Sequence, residues 1–314
     1  MHVGCIGLGH IGLPIANNIL RGGFKLVVHD LDKSKAGSLL DGGATWAESP
    51  AALAAATDII ITSVPGPAET SAVIEGPRGV LEGIRPGAIW VEMSTTDLAL
   101  LRRLSDRLAA KKATALDAPV TGGVPNARKG KAIIYVGGTR SDYEKVLPVL
   151  RTIGDKIFHM GPLGTGLITK LISNMLSFAH HVALGEGFVL GAKAGLDLWA
   201  LREAIQAGYG GSYVLQEGAP LIFDGSYNPH FSLDLSIKDF DLAATVAREF
   251  GAVWRFIPQV REFYERAREA YGGDAGLASV VRLAEEASGV LLRSGPPGQE
   301  QDSAKSQQSI PNTP

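Results

Sequence analysis

In the first half of the chain, short apolar runs alternate with longer stretches in which apolar residues recur at helical spacing. The strand-like runs are "HVGCIG", "KLVVHD", "DIIITSV", "AIWVEMS", "ATALDAPV", "AIIYVGG" and "KIFHMG". Helical stretches include one that ends near Leu20 and one from Leu98 to Ala110. This alternation predicts a mostly parallel sheet with helices on both faces, and therefore an α/β domain over residues 1–163.

The pattern changes at residue 164. The run "GLITKLISNMLSFAHHVALGEGFVLGAKAG" keeps helical spacing until a glycine stop, and shorter helical patterns follow it at 198–207, 233–250, 257–271 and 278–288. Because no strand pattern occurs there, residues 164–293 are predicted to form an all-helical domain that begins with the long helix. Residues 294–314 are polar and rich in Pro, Gln and Ser, so we expect a disordered tail.

The composition narrows the class of protein. The chain has 314 residues, of which 45% are hydrophobic, enough for the cores of two domains. Its formal net charge of −2 gives no reason to expect nucleic acid or an anionic membrane surface as a partner. The single cysteine, Cys5, cannot form an intrachain disulfide, which fits a reducing compartment and leads us to expect a cytoplasmic protein. The first strand begins at Val3, so no secretory leader is expected.

A glycine array follows the first strand. The motif "GLGHIG" places Gly7, Gly9 and Gly12 in the G-x-G-x-x-G spacing, between a strand and a helix. The first glycine allows a tight turn, the second lets the backbone approach a pyrophosphate, and the third lets helix and strand pack closely. Free N–H groups at the helix N-terminus then face the phosphates. The array predicts a dinucleotide site and accounts for the uncharged run from Val3 to Leu20, which is otherwise long enough to suggest a membrane helix.

The second strand ends at Asp30, near the offset where dinucleotide-binding domains place an acidic residue. Its carboxylate would accept hydrogen bonds from the adenosine ribose and repel a 2′-phosphate. Leu31, rather than Arg, follows it. We therefore predict NAD as the preferred cofactor, with NADP left open because Lys33 and Lys35 lie close by in the sequence.

Three further motifs lie where strands end or where the long helix begins. The motifs "EMSTT" and "DAPVTGG" each end a strand, and in a doubly wound sheet the C-terminal ends of the strands face the ligand. The motif "GTGLITKLISN" begins the long helix and places Lys170 and Asn174 four residues apart, on one face. The first two motifs are therefore expected beside the dinucleotide.

Four spaced motifs of the chain resemble those of the β-hydroxyacid dehydrogenase family, which includes 3-hydroxyisobutyrate dehydrogenase and tartronate semialdehyde reductase: "GLGHIG", "DAPVTGGVPNARKG", "GPLGTGLITKLISN" and "FSLDLSIKDFDLA". The resemblance extends from Val3 to about Gly289. It implies a Rossmann N-terminal domain, an all-α C-terminal domain, and hydride transfer between NAD(P) and a short β-hydroxy acid or its semialdehyde or keto form. It also implies that Lys170 is the general acid/base.

The resemblance implies further site residues, which we group by ligand. Those that would hold the substrate are Thr121, Gly122, Gly123, Asn174 and Lys238. Those that would bind the cofactor are Gly7, Leu8, Gly9, His10, Ile11, Gly12, Asp30, Val64, Pro65, Ser94, Thr95 and Lys238. Thr121 stands where the family usually has Ser, and Ser173 stands where it often has Asn. Both differences leave the identity of the hydroxy acid open.

The stretch "DAPVTGGVPNARKGK" is too rich in Gly and Pro for a buried helix and too polar for a plain strand. Glycines after a strand present unhindered backbone N–H groups, which can bind a carboxylate. Thr121 adds a hydroxyl donor. We therefore expect Thr121, Gly122 and Gly123 to form a carboxylate clamp for the acid end of the substrate.

Other functions stay open at this point. An imine reductase shares this architecture but usually replaces the catalytic lysine, so Lys170 argues against it. A non-catalytic dinucleotide-binding scaffold has no need of Lys170, Asn174 and Lys238 together. A phosphorylated substrate, as in 6-phosphogluconate dehydrogenase, is disfavoured because the chain is shorter and has Ser173 where the "KMVHNG"-like signature has His.

The remaining expectations concern metals, selectivity and assembly. His180 and His181 are adjacent, so on a helix their side chains point about 100° apart, and Zn-like Cys/His spacing is absent from the sequence. No metal site is predicted.

In the second domain, the residues expected to contact the substrate side chain are Tyr209, Ser212, Tyr213 and Phe231. We expect a homodimer or homotetramer that acts on a small-molecule hydroxy acid.

Overall fold

The computed structural model describes residues 1–227 and 230–295. It separates the chain into two units, the first formed by Met1–Ser173 with Leu242–Val246, the second by Asn174–Asp241 with Ala247–Pro314. In the structure, the boundary between the two units falls after Ser173. The hydrophobic pattern placed it earlier, between residues 163 and 164, where the chain approaches the long helix. Only Ser294 and Gly295 of the predicted tail are among the described residues.

The first unit contains a nine-stranded sheet. Its strands are β1 (His2–Ile6), β2 (Lys25–His29), β3 (Thr45–Trp46), β4 (Ile59–Thr62), β5 (Ile89–Glu92), β6 (Thr114–Asp117), β7 (Val120–Thr121), β8 (Ala132–Gly137) and β9 (Gly154–Gly161). The order is β3-β2-β1-β4-β5-β6-β8-β7, and β9 pairs with β8. Strands β1 to β6 are mutually parallel, whereas β8 is antiparallel to β6 and β7 and parallel to β9. The predicted mostly parallel sheet is confirmed.

Eight α-helices lie between residues 12 and 153, among the strands of this sheet. They are α1 (Gly12–Arg21), α2 (Gly37–Asp41), α3 (Pro50–Ala56), α4 (Pro67–Glu75), α5 (Val80–Gly83), α6 (Leu98–Ala109), α7 (Gly123–Arg128) and α8 (Arg140–Ile153). Three begin where a side chain accepts a hydrogen bond from the first turn, since Ser49, Asp97 and Thr139 cap α3, α6 and α8. The sequence pattern predicted α6 but not α7.

The helix α7 lies in the Gly- and Pro-rich stretch for which the sequence predicted neither a buried helix nor a plain strand. Gly122 caps α7 in the left-handed region, with φ 106°, and Pro125 lies in the first turn. Proline is tolerated there because its missing N–H has no intrahelical acceptor at that position. The helix is short and half-exposed, with only Val124 and Ala127 buried.

The helix α9 (Thr165–Lys193) begins in the first unit and continues into the second. The other helices of the second half are α10 (Leu198–Gln206), α11 (Tyr213–Phe223), α12 (Leu233–Glu249), α13 (Ile257–Tyr271) and α14 (Arg282–Ser288). No named strand occurs in the described residues after Gly161, so the predicted α/β domain followed by an all-α domain is confirmed. Two details differ from the pattern, because α11 was not predicted and the first part of 278–288 is a 3-10 helix, Leu277–Val281.

The central strands position the loops that carry the predicted site. Every residue of β4 and β5 is buried, as expected for parallel strands covered on both faces. Trp90 of β5 is fully buried, and its indole Nε1 donates a 2.8 Å hydrogen bond to Thr62 Oγ1 of β4. The second unit has its own aromatic core, in which Phe178 lies 5.1 Å from Phe240 and 5.3 Å from Tyr264, centroid to centroid. Among the described helices, none is both long enough and apolar enough to cross a membrane.

A buried carboxylate holds the last described segment of the chain. Glu285 is buried and accepts hydrogen bonds from the Tyr227 hydroxyl at 2.5 Å and the Leu292 N–H at 2.7 Å. Arg293 forms an ion pair with it at 3.2 Å and also lies over the Tyr227 ring. Folding of the second unit therefore involves residues up to Arg293.

This network makes the effect of C-terminal truncation predictable. Truncation after Arg293 should leave the melting temperature and activity almost unchanged, because the polar tail has too few apolar residues to dock. Truncation after Leu291 should lower the melting temperature by about 10 °C, since it leaves Glu285 buried without its cation and removes buried Leu292. Thermal melts of both variants check this. A large drop for the longer variant would show that the tail packs on the protein.

Candidate functional site

The glycine array forms the turn between β1 and α1. Gly7 has φ 91°, and a Cβ there would lie 2.3 Å from Ser63 O. A Cβ on Gly12 would lie 2.0 Å from Gly7 O, so neither position has space for a side chain. Gly9 is exposed, and no other atom lies within 4 Å of where its Cβ would be. The two outer glycines serve the turn, and the middle one leaves open space beside the backbone, where a phosphate fits.

Asp30 directly follows β2, and its carboxylate is hydrogen-bonded to the backbone of the glycine turn. Its Oδ2 accepts a 2.7 Å hydrogen bond from Leu8 N, and its Oδ1 accepts from Asp32 N at 2.9 Å and from Lys35 Nζ at 3.2 Å. Burial raises the pKa of Asp30, but these donors outweigh it, so the pKa is lowered from its ordinary value. The carboxylate is therefore ionised at neutral pH. Leu31 beside it is fully exposed and carries no charge.

A cavity of about 580 Å³ opens next to this turn. Its lining residues are Leu8, Gly9, His10, Leu13, Pro14, Asn17, Arg21, Lys35 and Arg128. Three of them are cationic, which suits the phosphates of a dinucleotide. Ile11, between the second and third glycines, is half-buried and packs against the core of the sheet. The turn, its free helix N-terminus and the cavity together fit a dinucleotide.

The loops after β4 and β5 are joined by Ser94. Its Oγ accepts a 2.9 Å hydrogen bond from Val64 N, and its own N–H donates to Glu92 Oε1 at 2.7 Å. Pro65 is exposed and Thr95 half-buried at this end of the sheet. Of these residues, sequence reasoning missed Glu92, whose only signal is an acidic residue inside the apolar run "AIWVEMS".

Glu92 makes the stability of this region depend on pH. Burial raises the pKa of Glu92 to about 7, although hydrogen bonds from Ser94 partly oppose the shift. In the unfolded chain the pKa is ordinary, so between about pH 4.5 and 7 the folded state binds more protons than the unfolded one. The free energy of unfolding must then fall as the pH rises through this window.

We predict that Glu92→Gln removes this pH dependence. Relative to the variant, the wild type should lose about 3 kcal/mol of unfolding free energy between pH 4.5 and 8, because the native carboxyl is costly to ionise. Denaturant unfolding of both proteins at a series of pH values measures the difference. Parallel curves for the two proteins would mean that Glu92 ionises normally in the folded state.

The residues of the predicted carboxylate clamp lie at the end of β7 and the start of α7. Thr121 pairs with Ile133 of β8 and is half-buried. Gly122 and Gly123 have φ of 106° and 74°, a region that residues with a Cβ rarely adopt. Asn126 donates from Nδ2 to Gly122 O at 2.9 Å, which fixes the turn from inside α7. The chain thus uses two glycines in positive-φ conformations to begin a short helix, and Gly123 itself is exposed.

Lys170 lies on α9, in the first unit. It is 9% exposed, and its helix neighbours Leu167 and Leu171 are buried. The start of α9 is attached to the end of β6, because the Asp117 carboxylate accepts hydrogen bonds from Gly164 N at 2.7 Å and Leu167 N at 2.6 Å. Asp117 is the first residue of "DAPVTGG", so this contact connects two of the sequence motifs. Sequence reasoning did not assign it a role.

In the second unit, Asn174 and Lys238 both contact Asp239, a residue to which the sequence analysis assigned no role. Asn174 Nδ2 donates a 2.6 Å hydrogen bond to Asp239 Oδ2, and Lys238 Nζ lies 3.1 Å from Asp239 Oδ1. Asp239 is buried, as is Asn174. The two predicted substrate-binding side chains of this unit therefore share one carboxylate. Asp239 follows Lys238 directly in the "FSLDLSIKDFDLA" motif.

The four residues expected to set selectivity have different surroundings. Ser212 caps α11 by accepting from Leu215 N at 3.0 Å, so its hydroxyl serves the helix. Tyr209 is fully exposed and Tyr213 half exposed, whereas Phe231 packs near Phe178 at 6.1 Å between centroids. The structure thus gives Ser212 and Phe231 structural contacts within the second unit.

The adjacent histidines occupy different environments. His181 is buried with Nδ1 2.8 Å from Ser177 O, and burial lowers its pKa to about 4. His180 is exposed. Across residues 1–227 and 230–295, no group of three His, Cys, Asp or Glu side chains is arranged to hold a metal ion.

Comparison with known proteins finds one matching family model for each half of the chain. Residues 2–161 match the family model for the NAD-binding domain of 6-phosphogluconate dehydrogenase. Residues 164–284 match the model for the NAD-binding region of NADP-dependent 3-hydroxyisobutyrate dehydrogenase. Together the two matches span nearly all of the described residues.

Individual relatives agree with these models. The 2-(hydroxymethyl)glutarate dehydrogenase of Eubacterium barkeri is 32% identical over 294 residues, which cover 93% of this chain and 98% of the relative. The L-threonate dehydrogenase of Cupriavidus necator is 31% identical over 283 residues, covering 90% and 95%. A crystal structure of 3-hydroxyisobutyrate dehydrogenase from Salmonella typhimurium superposes with a TM-score of 0.81 at 26% identity, covering 90% of this chain and 99% of that one.

Proposed function

We propose that this chain, which belongs to the β-hydroxyacid dehydrogenase family of NAD(P)-dependent oxidoreductases, interconverts a short β-hydroxy acid and its semialdehyde or keto form. The observation that carries this proposal is Lys170. This lysine is buried near the start of α9. The Asp117 carboxylate joins the start of α9 to β6, the strand that precedes the proposed carboxylate clamp. An ammonium in such a position has a chemical use, since lysine is rarely buried for packing alone.

The residues divide the work as follows. Lys170 gives a proton to the forming alkoxide, or removes the alcohol proton in the other direction. Thr121 and the N–H groups of Gly122 and Gly123 hold the substrate carboxylate. Asn174 and Lys238 stay predicted substrate-binding residues, and within the second unit Asp239 contacts the side chains of both.

The cofactor is a nicotinamide dinucleotide, whose ring supplies or accepts the hydride when bound. We assign its phosphates to the turn of Gly7, Gly9 and Gly12 together with Leu8, His10 and Ile11. The nicotinamide end is assigned to Val64, Pro65, Ser94 and Thr95. Ser94 accepts a hydrogen bond from Val64 N, which joins the two loops that carry these residues.

We further propose that NAD is preferred over NADP. Asp30 is ionised, the exposed residue after it is Leu31, and Asp32 adds a second carboxylate that is fully exposed. A 2′-phosphate would face these two negative charges. Lys35 forms an ion pair with Asp30, so its charge is partly neutralised there.

Replacing Asp30 by alanine tests the preference. The variant should bind NAD more weakly and discriminate less against NADP, because ribose hydrogen bonds and like-charge repulsion are both lost. It should also loosen the turn, since Asp30 anchors Leu8 N. Dissociation constants for NADH and NADPH, measured by fluorescence on both proteins, check this. A wild type that already prefers NADPH contradicts the argument at its first step.

The activity itself is tested by an assay that also covers the rival functions. The purified protein is incubated with NAD and a panel of short hydroxy acids, and NADH formation is followed by absorbance. Cyclic imines with NADH or NADPH form the second arm. Oxidation of a hydroxy acid supports the proposal. Turnover of imines alone favours an imine reductase, and cofactor binding without any turnover favours a non-catalytic scaffold.

We also propose a cytoplasmic homodimer or homotetramer. In the second unit, α9 presents an apolar stripe made of Leu176, Ala183, Gly187 and Leu190, all exposed and at helical spacing. Leu176 and Leu190 are 54% and 71% exposed. A second copy of the chain is the occupant that we propose for this stripe, and the lone buried Cys5 fits a reducing compartment.

A further inference from the structure

One carboxylate joins the end of β6 to the beginning of α9. Asp117 is the last residue of β6, and its side chain is almost completely buried. Its Oδ1 accepts from Gly164 N at 2.7 Å and its Oδ2 from Leu167 N at 2.6 Å. Backbone donors at a helix start have no intrahelical acceptor, so a single side chain here satisfies two of them. A carboxylate suits this position because the helix N-terminus is electropositive.

The space for this carboxylate depends on two glycines. A Cβ on Gly137, the residue paired with Asp117 in the sheet, would lie 2.3 Å from Asp117 Oδ1. A Cβ on Gly166 would lie 2.8 Å from Asp117 Oδ2 and 2.4 Å from Tyr135 O. All three distances are shorter than real Cβ contacts. The first turn of α9 therefore packs directly against β8 and the Asp117 carboxylate, with no side chain between them.

The same face of α9 carries Lys170. Gly166 and Lys170 are four residues apart, so they lie one above the other on the helix. Long side chains on a helix lean back toward its N-terminus, which directs Lys170 toward the turn that Asp117 holds. Because Lys170 is 9% exposed, its side chain has little freedom to compensate for a shift of the helix.

We propose that Asp117 is a positioning residue for proton transfer at Lys170. By fixing the first turn of α9 to the end of β6, it sets where the ammonium stands relative to the carboxylate clamp that follows the same strand. The proposal rests on the proposed function, which assigns the proton transfer to Lys170. A misplacement of about 1 Å in a reacting group costs about 10²-fold in rate, which sets the expected size of the effect.

The test is a double-mutant cycle between Asp117 and Lys170. Asp117→Asn replaces one acceptor oxygen by an NH₂ group, which cannot accept from a backbone N–H. With the wild-type lysine, we expect Asp117→Asn to lower turnover about 10²-fold, with NAD affinity nearly unchanged. In the Lys170→Ala background, the same change should lower turnover by less than about 3-fold, because the group that it positions is absent.

The matched control is Asp197, which caps α10 by accepting from Ala200 N at 2.7 Å. Asp197→Asn should leave turnover unchanged in both backgrounds. This result would show that losing a helix-capping carboxylate elsewhere in the protein does not affect turnover, whereas losing that of Asp117 does. If Asp117→Asn does not fold, as judged by circular dichroism, Asp117→Ser replaces it in the cycle because serine is smaller and keeps one acceptor.

The outcomes separate this inference from the function on which it rests. Equal losses from Asp117→Asn in both backgrounds would show a merely structural role and overturn the inference while leaving the function intact. Wild-type turnover in Asp117→Asn would overturn it as well. Near-wild-type turnover in Lys170→Ala would overturn the assignment of proton transfer to Lys170, and the inference with it.

Discussion

Replacing Lys170 by alanine lowers turnover of the hydroxy acid by about 10²–10⁴-fold, the range for losing general acid–base assistance. NAD affinity stays nearly unchanged, because none of the residues assigned to the cofactor lies on α9. No other residue between positions 168 and 172 has an ionisable side chain, so none can replace Lys170 as the proton donor. Steady-state kinetics with saturating NAD, and NADH binding by fluorescence, measure the two quantities.

Lys193 provides the matched control. It is on the same helix, in its last turn, and is exposed. Lys193→Ala should keep wild-type turnover, so any loss in Lys170→Ala is specific to the buried position. If both variants turn over like the wild type, lysine has no part in the mechanism.

Replacing Gly123 by valine raises the apparent Michaelis constant for the hydroxy acid by about 10- to 150-fold, the cost of losing one charge-assisted hydrogen bond. The branched side chain would obstruct the approach of the carboxylate to the N–H groups of Gly122 and Gly123. NAD affinity should change little, because the clamp contacts only the acid. A simple alcohol that lacks the carboxylate should already be a poor substrate of the wild-type protein.

Backbone strain complicates this variant and needs a control. Gly123 has φ 74°, where a residue with a Cβ costs about 1–2 kcal/mol. Gly87 has φ 83° and likewise open space around the position of a Cβ, so Gly87→Val carries a similar strain away from the clamp. Both variants should lose similar stability in thermal melts, and only Gly123→Val should change the Michaelis constant. Loss of NAD and substrate affinity together in Gly123→Val would mean that the glycines serve only the turn.

The nucleotide-binding end of the fold was predictable because its signal is local. Within one strand-turn-helix segment, Gly7 has a positive φ and Gly12 packs against Gly7 O, and the G-x-G-x-x-G spacing records both requirements. The alternation of apolar runs likewise predicted the parallel sheet, since three of the four residues in each of the central strands β4 and β5 are apolar. Asp30 was predicted at the right place, although its hydrogen bond to Leu8 N was not.

The helices α7 and α11 were not predicted, because their sequences contain residues that usually end helices. The helix α7 begins at a left-handed Gly122 and has Pro125 in its first turn, where proline is compatible with a helix. The helix α11 contains Gly218 and Pro220, and burial of its apolar face, including Leu215 and Phe223, outweighs their low propensity. Local pattern alone cannot show such tertiary compensation.

The supporting carboxylates of the site were missed for a related reason. Asp117 accepts a hydrogen bond from Gly164, 47 residues away in the sequence, and Asp239 accepts one from Asn174, 65 residues away. Glu92 also owes its raised pKa to burial in the centre of the sheet. Nothing in the spacing of the motifs reveals these partners. The residues proposed to touch the ligands are found from motifs, whereas those that orient them require the fold.

The most direct test of the proposed reaction is hydride transfer from a labelled substrate. The hydroxy acid that gives the fastest NADH formation is prepared with deuterium on its carbinol carbon and incubated with NAD and the wild-type protein. Mass spectrometry of the reduced cofactor should then show one deuterium, carried over directly from the substrate. Unlabelled NADH, or no NADH from any acid in the panel, would contradict the proposed oxidation of a β-hydroxy acid.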